Sequence, residues 1–572
     1  MEMTIRNGFA ALTLPLLFGC ATMSGEALEA DDAYDLVIRG GTIYDGSGGA
    51  PYIGDVAVEG DRIVAVGIFS GAADRVVDAS GKAVAPGFIN MLSWANRSLL
   101  EDGRGTSDLK QGITLEVFGE GWTMGPLNDA MRGEMAEELG TAPGWTTLGG
   151  YLDTLADRGV SPNVASFVGA TTIRIHELGE KDVDPTPEQL TRMRALVRQA
   201  MEEGAMGVGS ALIYAPANYA ETPELVALAS EAGRCGGMYI SHMRSEADNI
   251  GEAIDEVITI SREGGLPAEI YHLKLAGKRN WTRLPEVVAQ IEEARASGLR
   301  ITTNMYLYTA GGTSLDAVIP PWAHSGGREA MVERLRDPAT RARILADMRA
   351  EENDWENLLR AAGGGEGVLL VEAETAEAEP LLGKTLAEIA AERGTSIEDT
   401  VIDLVIADGG IGAVYFMMSE DNVKAQTALP WMSFGSDASA PAAEGEALES
   451  AVHPRTYGNF ARLLGKYVRE DKALPLEQAI HGLTGLPASN LGLRGRGQLT
   501  PGYQADIVVF DPATITDHAT YAQPHQYAAG VRDVFVNGTQ VIAAGEHTGA
   551  APGRVVRGPG WTGWPDGGAC AN

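Results

Sequence analysis

Cysteine is scarce in this chain, with three among 572 residues. Three cannot build a disulfide framework, and a zinc site of four cysteines is excluded by count. Positive charge is also short: 44 Lys and Arg stand against 78 Asp and Glu, a net charge of −34. The clustered cations that neutralise a nucleic-acid backbone are missing, which excludes nucleic acid as a partner. Past the N-terminus no segment reaches the ~18 uninterrupted apolar residues of a membrane-spanning helix. No Gly-x-Ser-x-Gly elbow lies on a strand-to-helix turn, so serine-based hydrolysis has no support. Glycine, by contrast, is plentiful at 72 residues and scattered without a repeat, the mark of many tight loops. The length exceeds what one hydrophobic core holds and suits a large catalytic domain plus a smaller one.

Residues 1–19 carry Arg6 and an apolar run from Phe9 to Phe18, followed by Gly19 and Cys20. A run of about ten apolar residues is too short to span a bilayer and fits a signal peptide. Cleavage before Cys20 resembles a bacterial lipoprotein signal, and Phe18 departs from the small residue usual there. The expectation is an exported, periplasmic protein that meets the membrane only through a lipid on Cys20, with 20–33 as linker. Cys235 and Cys570 then remain, and their spacing leaves open whether they pair.

From Tyr34 to about residue 67, short β-branched runs alternate with Gly-Gly and Gly-Asp turns, an antiparallel meander. The same texture returns at Ala505–Phe510 and Val531–Gly538. Between these ends, apolar runs at 165–169, 205–209, 238–241, 269–273, 300–304 and 431–435 alternate with helical stretches such as 187–203, 224–233 and 250–264. Such alternation points to parallel βα units, and more than about six of them favour a closed barrel over an open sheet. The expected fold is α/β: a distorted TIM barrel over 86–494, with a charge-rich inserted subdomain at about 326–427. A small β-sandwich is formed by both chain ends, 34–85 with 495–560, and 561–572 is a tail.

In a βα barrel the reacting groups sit at the C-terminal strand ends. Glu120 follows Ile113–Phe118, His242 follows Met238–Ser241, His272 follows Ala268–Tyr271, and Asp437 follows Trp431–Ser436. Two histidines in successive βα units plus a carboxylate make a three-ligand site with an open position, the pattern of a catalytic zinc. A separate carboxylate moves protons, a role that Asp437 fits. His176 and Glu177 are further candidates. The other histidines, His324 and His453 among them, read as loop or helix-surface residues.

The segments Leu36–Thr42, Ala85–Ile89, Gly207–Pro216, Ser241–Arg244, His272–Lys274, Met305–Gly311, Gly435–Asp437 and Pro501–Val508 together resemble the amidohydrolase superfamily. Within it they resemble the N-acyl-D-amino-acid deacylases, over nearly all of 34–545. The resemblance implies the barrel-plus-sandwich fold and metal-dependent hydrolysis of an amide beside a free carboxylate, releasing a D-amino acid. Hydrolysis of a cyclic amide or N-acyl sugar, and binding without chemistry on a retained fold, are the alternatives.

Two departures shape the expected site. The family carries His-x-His after Pro-Gly-Phe-Ile-Asp; here Pro86-Gly87-Phe88-Ile89-Asn90 is followed by Leu92 and Trp94 at the histidine positions. The family's cysteine ligand falls on Gly121, with Glu120 beside it. The expected centre therefore holds one divalent ion, zinc by donor type, on Glu120, His242 and His272, with Asp437 as acid and base. Glu116, earlier in the same strand, is the competing carboxylate. Lys274 is placed by strand period to meet a substrate carboxylate, and Tyr306, Tyr308, Arg174 and Arg455 are further substrate-binding candidates. Trp94 and Trp122 are expected to fill space left by the lost ligands.

Overall fold

The computed structural model describes residues 33–351, 353–448 and 451–571. The signal-peptide reading of 1–19 and the anchor at Cys20 lie outside them. Among the described residues no helix is long and apolar enough to cross a membrane.

The two chain ends meet in one sheet. Tyr34–Ile43, Tyr52–Glu59, Arg62–Gly67, Ala73–Asp78 and Ala83–Pro86 come from the first end. Ile507–Phe510, Val531–Val536, Thr539–Ala543 and Glu546–His547 come from the second, joined through the antiparallel pairing of Ile507–Phe510 with Ala83–Pro86. Hydrogen bonding links all nine strands contributed by the two ends into one sheet. It carries its own core, in which Leu36, Ile38, Val56, Ile63, Ile507 and Phe535 are buried. Two residues past Pro86, Phe88–Asn90 begins the α/β domain, so the sheet fixes where the first inner strand enters.

The inner strands are parallel. Phe88–Asn90, Ile113–Phe118 and Asn163–Ser166 form one ladder; Val168–Gly169, Gly207–Ala211, Met238–His242, Ala268–Ile270, Ile301–Met305 and Met432–Phe434 form another. The expected barrel is thus not closed by a continuous ladder of hydrogen bonds. The break falls at Phe167, between the two ladders, and at the gap between the last strand and the first. These strands are buried on both faces, and that is why they read as continuous apolar runs. At Gly207 (φ +156°) a Cβ would stand 1.8 Å from Met238 O, so only glycine lets these two strands start side by side.

The outer helices begin and end on local signals. Pro187–Glu202 starts with a capping box between Thr186 and Gln189 and a proline in its first turn. Ile250–Gly264 turns Ile250, Ala253, Ile254, Val257 and Ile258 inward and stops at Gly265 in the left-handed region. Each buried Ile or Val among them contributes roughly 1.5–3 kcal/mol.

Two connections shape the site from outside. A three-stranded antiparallel sheet, Ala310–Ser314, Gly412–Phe416 and Val368–Glu372, stands over one side of the domain and carries the helices of the inserted region. Residues 548–571 run back along the domain: Val555 bridges to Val164, and Cys570 forms a disulfide with Cys235 at the end of helix Thr222–Arg234. The question left open by spacing is answered by a covalent link.

A buried polar cluster lies beneath the site. Asn90 Nδ2 donates to Asp108 Oδ2 (3.0 Å), Glu116 Oε2 (3.0 Å) and Ser436 Oγ (2.8 Å). Burial pushes both carboxyl groups up, Asp108 well above the usual range with Glu116 adding to it, and Glu116 to about 7. The folded state then holds protons that the unfolded chain releases above about pH 4, so stability falls as pH rises from there through the folded values. Asp108→Asn keeps a neutral group at that position. Its unfolding free energy is expected to fall less steeply than wild type between about pH 5 and 7, by on the order of 1 kcal/mol per pH unit. Thermal or denaturant unfolding across that range checks this, and equal slopes contradict it.

Candidate metal centre

Glu120, His242 and His272 converge as their strand-end positions predict. Glu120 Oε1 lies 3.1 Å from His242 Nδ1 and 2.7 Å from His272 Nε2. All three side chains are buried, and their ligand atoms lie within 4.8 Å of one another. Burial pushes the Glu120 carboxyl up, but the His272 and His242 imidazoles outweigh it and hold it below its usual range. Burial and Lys274 push the His272 imidazole down, yet Glu246 and Glu120 more than reverse this and raise it to about 9.

The turn that presents Glu120 explains why the ligand stands there. Gly121 has φ +76°, and a Cβ on it would lie 2.9 Å from Ala211 N and Cβ and from Thr171 Oγ1. No cysteine fits at 121, and the neighbouring carboxylate points to the imidazoles instead. His272 and Asp437 are themselves held in the left-handed region, at φ 33° and 51°. For residues with a side chain this costs on the order of 1–3 kcal/mol each. Asn304 Oδ1 accepts from His272 N and Leu92 O accepts from Asp437 N, both at 2.8 Å, and these bonds oppose relaxation.

The donor set fits a divalent ion. One carboxylate oxygen and two imidazole nitrogens, mutually close and buried, are ligands zinc takes with a position left open. Glu246 supports His272 from behind, its Oε1 2.9 Å from His272 Nδ1, while its Oε2 stands 3.5 Å from His242 Nε2 without a hydrogen bond. A carboxylate on the far nitrogen fixes the ring and leaves the near one for a metal. Glu246 is absent from the expectations above. Its one signal is its place four residues after His242, and that acquires meaning only once the turn buries it to 1% exposure.

Trp94, expected at one of the two histidine positions, faces the cluster. Its Nε1 donates to Glu120 Oε2 at 3.0 Å and to Asp437 Oδ1 at 3.1 Å. An indole N–H donates only, so it orients both carboxylates and binds no metal. Leu92 is fully buried. Trp122 is 39% exposed and lines the cavity mouth.

The remaining candidates divide. Asp437, Lys274, Tyr306 and Arg455 line the cavity of about 670 Å³ over the cluster. Asp437 Oδ2 is 2.7 Å from Arg455 Nη1. Burial raises the Asp437 carboxyl above its usual range, against the pull of Arg455. Lys274 reaches the cavity by another route than strand period, because the strand ends at Ile270 and His272 turns the chain. Its Nζ is bound by both Glu246 oxygens, at 2.7 and 2.8 Å, and lies 2.7 Å from His272 Nδ1. Arg174 does not line the cavity; it is buried against Glu224 (2.5 Å) and Val183 O (2.6 Å). Tyr308 does not line it either, and donates to Asp517 at 3.2 Å. Glu116 belongs to the polar cluster below. His176 and Glu177 pair with each other at 3.2 Å, away from the cavity. His324 and His453, expected as loop or helix-surface residues, lie on a short helix and a loop and line the cavity. His453 is 7% exposed and bonded to Ala310 O at 3.0 Å, and burial holds its imidazole well below the usual value.

The amidohydrolase family model matches residues 75–542. A D-aminoacylase of Alcaligenes xylosoxydans xylosoxydans is 35% identical over 91% of this chain and 97% of its own. A solved D-aminoacylase with a binuclear metal centre, described by one-metal activation and second-metal attenuation, is 34% identical with a TM-score of 0.76 over 92% of this chain and all of that one. N-acyl-D-glutamate deacylase from Bordetella bronchiseptica, complexed with zinc and a phosphonate mimic of the tetrahedral intermediate, is 30% identical with a TM-score of 0.77 over the same shares. The chain belongs to the amidohydrolase family and is D-aminoacylase-like within it.

Proposed function

We propose that this protein hydrolyses N-acyl-D-amino acids with one divalent ion, zinc by donor type, held by Glu120, His242 and His272. The observation that carries this is Asp437, which shares the Trp94 N–H with Glu120 of that buried cluster and pairs with Arg455. An ion bound there supplies a Lewis acid for the amide carbonyl and acidifies water. Asp437 accepts the proton of the attacking water and returns it to the leaving nitrogen, a role favoured by its raised pKa. Trp94 holds the Asp437 and Glu120 oxygens in place during that exchange. Arg455 receives the substrate carboxylate: neither its Nε nor its Nη1 makes a hydrogen bond, although Nη1 is in ion-pair contact with Asp437. Tyr306 backs the guanidinium face-on, 4.6 Å from ring centroid to Arg455 Cζ. The D configuration comes from the relatives' activities. Release of free amino acid from N-acetyl-D-leucine, with N-acetyl-L-leucine unchanged, is the expected assay result; equal use of both enantiomers, or of neither, contradicts the reading.

The same proposal includes export and anchoring through Cys20. The Cys235–Cys570 disulfide supports it, since such links persist in oxidising compartments. Cys20→Ser is expected to shift the protein from the membrane to the soluble periplasmic fraction. A cytoplasmic protein with residues 1–19 intact contradicts it.

A further inference from the structure

The cavity has a direction that the inserted sheet makes readable. Ala310–Ser314 runs along one wall, and Gly312 O accepts from Arg455 Nη2 at 3.4 Å. Ser314, two residues on, pairs with Gly412, which pairs in turn with Glu372. Glu372 therefore lies two strands across from Ser314, about 10 Å across the sheet and about 7 Å along it from Gly312, the residue bonded to the arginine that receives the substrate carboxylate. Asp316 follows Ser314 and lines the same end, among Ile319, Leu358, Val371 and Val414. A substituent reaching past the amide toward the inserted sheet meets apolar walls and two carboxylates.

The charges around the whole cavity point the same way. Among the described residues, Glu120, Glu246, Asp316, Glu372 and Asp437 line it as carboxylates, against Lys274 and Arg455 as fixed cations. Lys274 is spent on both oxygens of Glu246. Arg455 faces Asp437 and keeps N–H groups for one further carboxylate. Even with a divalent ion on Glu120, His242 and His272, the lining carries one negative charge in excess before substrate enters. A second carboxylate on the substrate, in its side chain or acyl group, finds no fixed counter-ion left in the lining and meets the half-buried Asp316 and the more exposed Glu372 at that end.

Resting on the deacylase reading, we infer that the site takes substrates with a single negative charge: N-acyl-D-amino acids whose side chain and acyl group are neutral or basic. The relatives' names do not decide this, since one acts on D-glutamate derivatives and another is named for D-amino acids at large.

Two near-isosteric pairs isolate the charge. The purified enzyme is assayed on N-acetyl-D-glutamine against N-acetyl-D-glutamate, and on N-butyryl-D-leucine against N-succinyl-D-leucine. In each pair kcat/KM is expected to be about 10²-fold lower for the dianion, the scale of an uncompensated like-charge contact. The two dianions are also expected to be correspondingly weak competitive inhibitors. Glu372→Gln combined with Asp316→Asn is expected to narrow the gap several-fold. Parity within the pairs, preference for the dianion, or a gap unchanged in the double variant overturns the inference while leaving the deacylase reading intact. Turnover of none of the four substrates overturns that reading and this inference with it.

Discussion

Asp437→Asn is expected to lower kcat by about 10²- to 10⁴-fold while metal content stays near that of the wild type. Asn keeps the shape and still accepts from Trp94 Nε1, which lies 3.1 Å from Oδ1, so the φ 51° backbone and the cavity wall persist. What disappears is the group that takes and returns the proton. Arg455 loses its anionic neighbour and becomes a freer carboxylate receptor, so KM for the acylated amino acid should stay level or fall even as kcat collapses. Steady-state kinetics beside elemental analysis separate these effects. A variant that keeps kcat, or that loses metal together with rate, contradicts the role given to Asp437.

Glu120→Gln has the opposite signature, with metal content and rate falling together. The carboxylate is the one charged ligand of the three and the shared neighbour of both imidazoles. An amide in its place removes the negative charge that favours a divalent ion and turns an N–H group toward one or both acceptors. Metal affinity is expected to fall at least about 10-fold, and activity without added metal by more. Activity that returns at high zinc concentration shows the loss to be one of affinity. Full metal and full rate in this variant would remove Glu120 from the ligand set.

Much of this site was legible because barrel topology makes position along a strand informative. Glu120, His242, His272 and Asp437 each follow an apolar run, and the parallel register brings those ends to one place. The residues that were missed or displaced depend on contacts far apart in sequence. Glu246 lies in a turn with no periodicity, and only burial against Lys274 gives it a role. His453 sits in a stretch with no strand or helix signal, and it packs against Tyr306, Tyr308 and Tyr521 with a bond to Ala310 O, 143 residues away. Ala310–Ser314 is itself poor in β-formers, with Gly311 and Gly312 at its centre. Its strand character comes from pairing with Gly412–Phe416 across the insertion. Arg174 and Tyr308 lie in segments that resemble the family, but resemblance of a segment does not say which way a side chain points. Lys274 reached its neighbourhood although the strand-period argument for it failed at Ile270.

The expectation of one metal turns on Trp94. Its indole spends its N–H on Glu120 and Asp437, and one cluster of ligands is found among the described residues. Metal stoichiometry of the purified protein, by elemental analysis after saturation with zinc and removal of loosely bound ion, tests this most directly. The expected value is one zinc per chain, with activity rising in proportion to occupancy up to one equivalent. Two tightly bound ions per chain, or activity that requires a second, would contradict it.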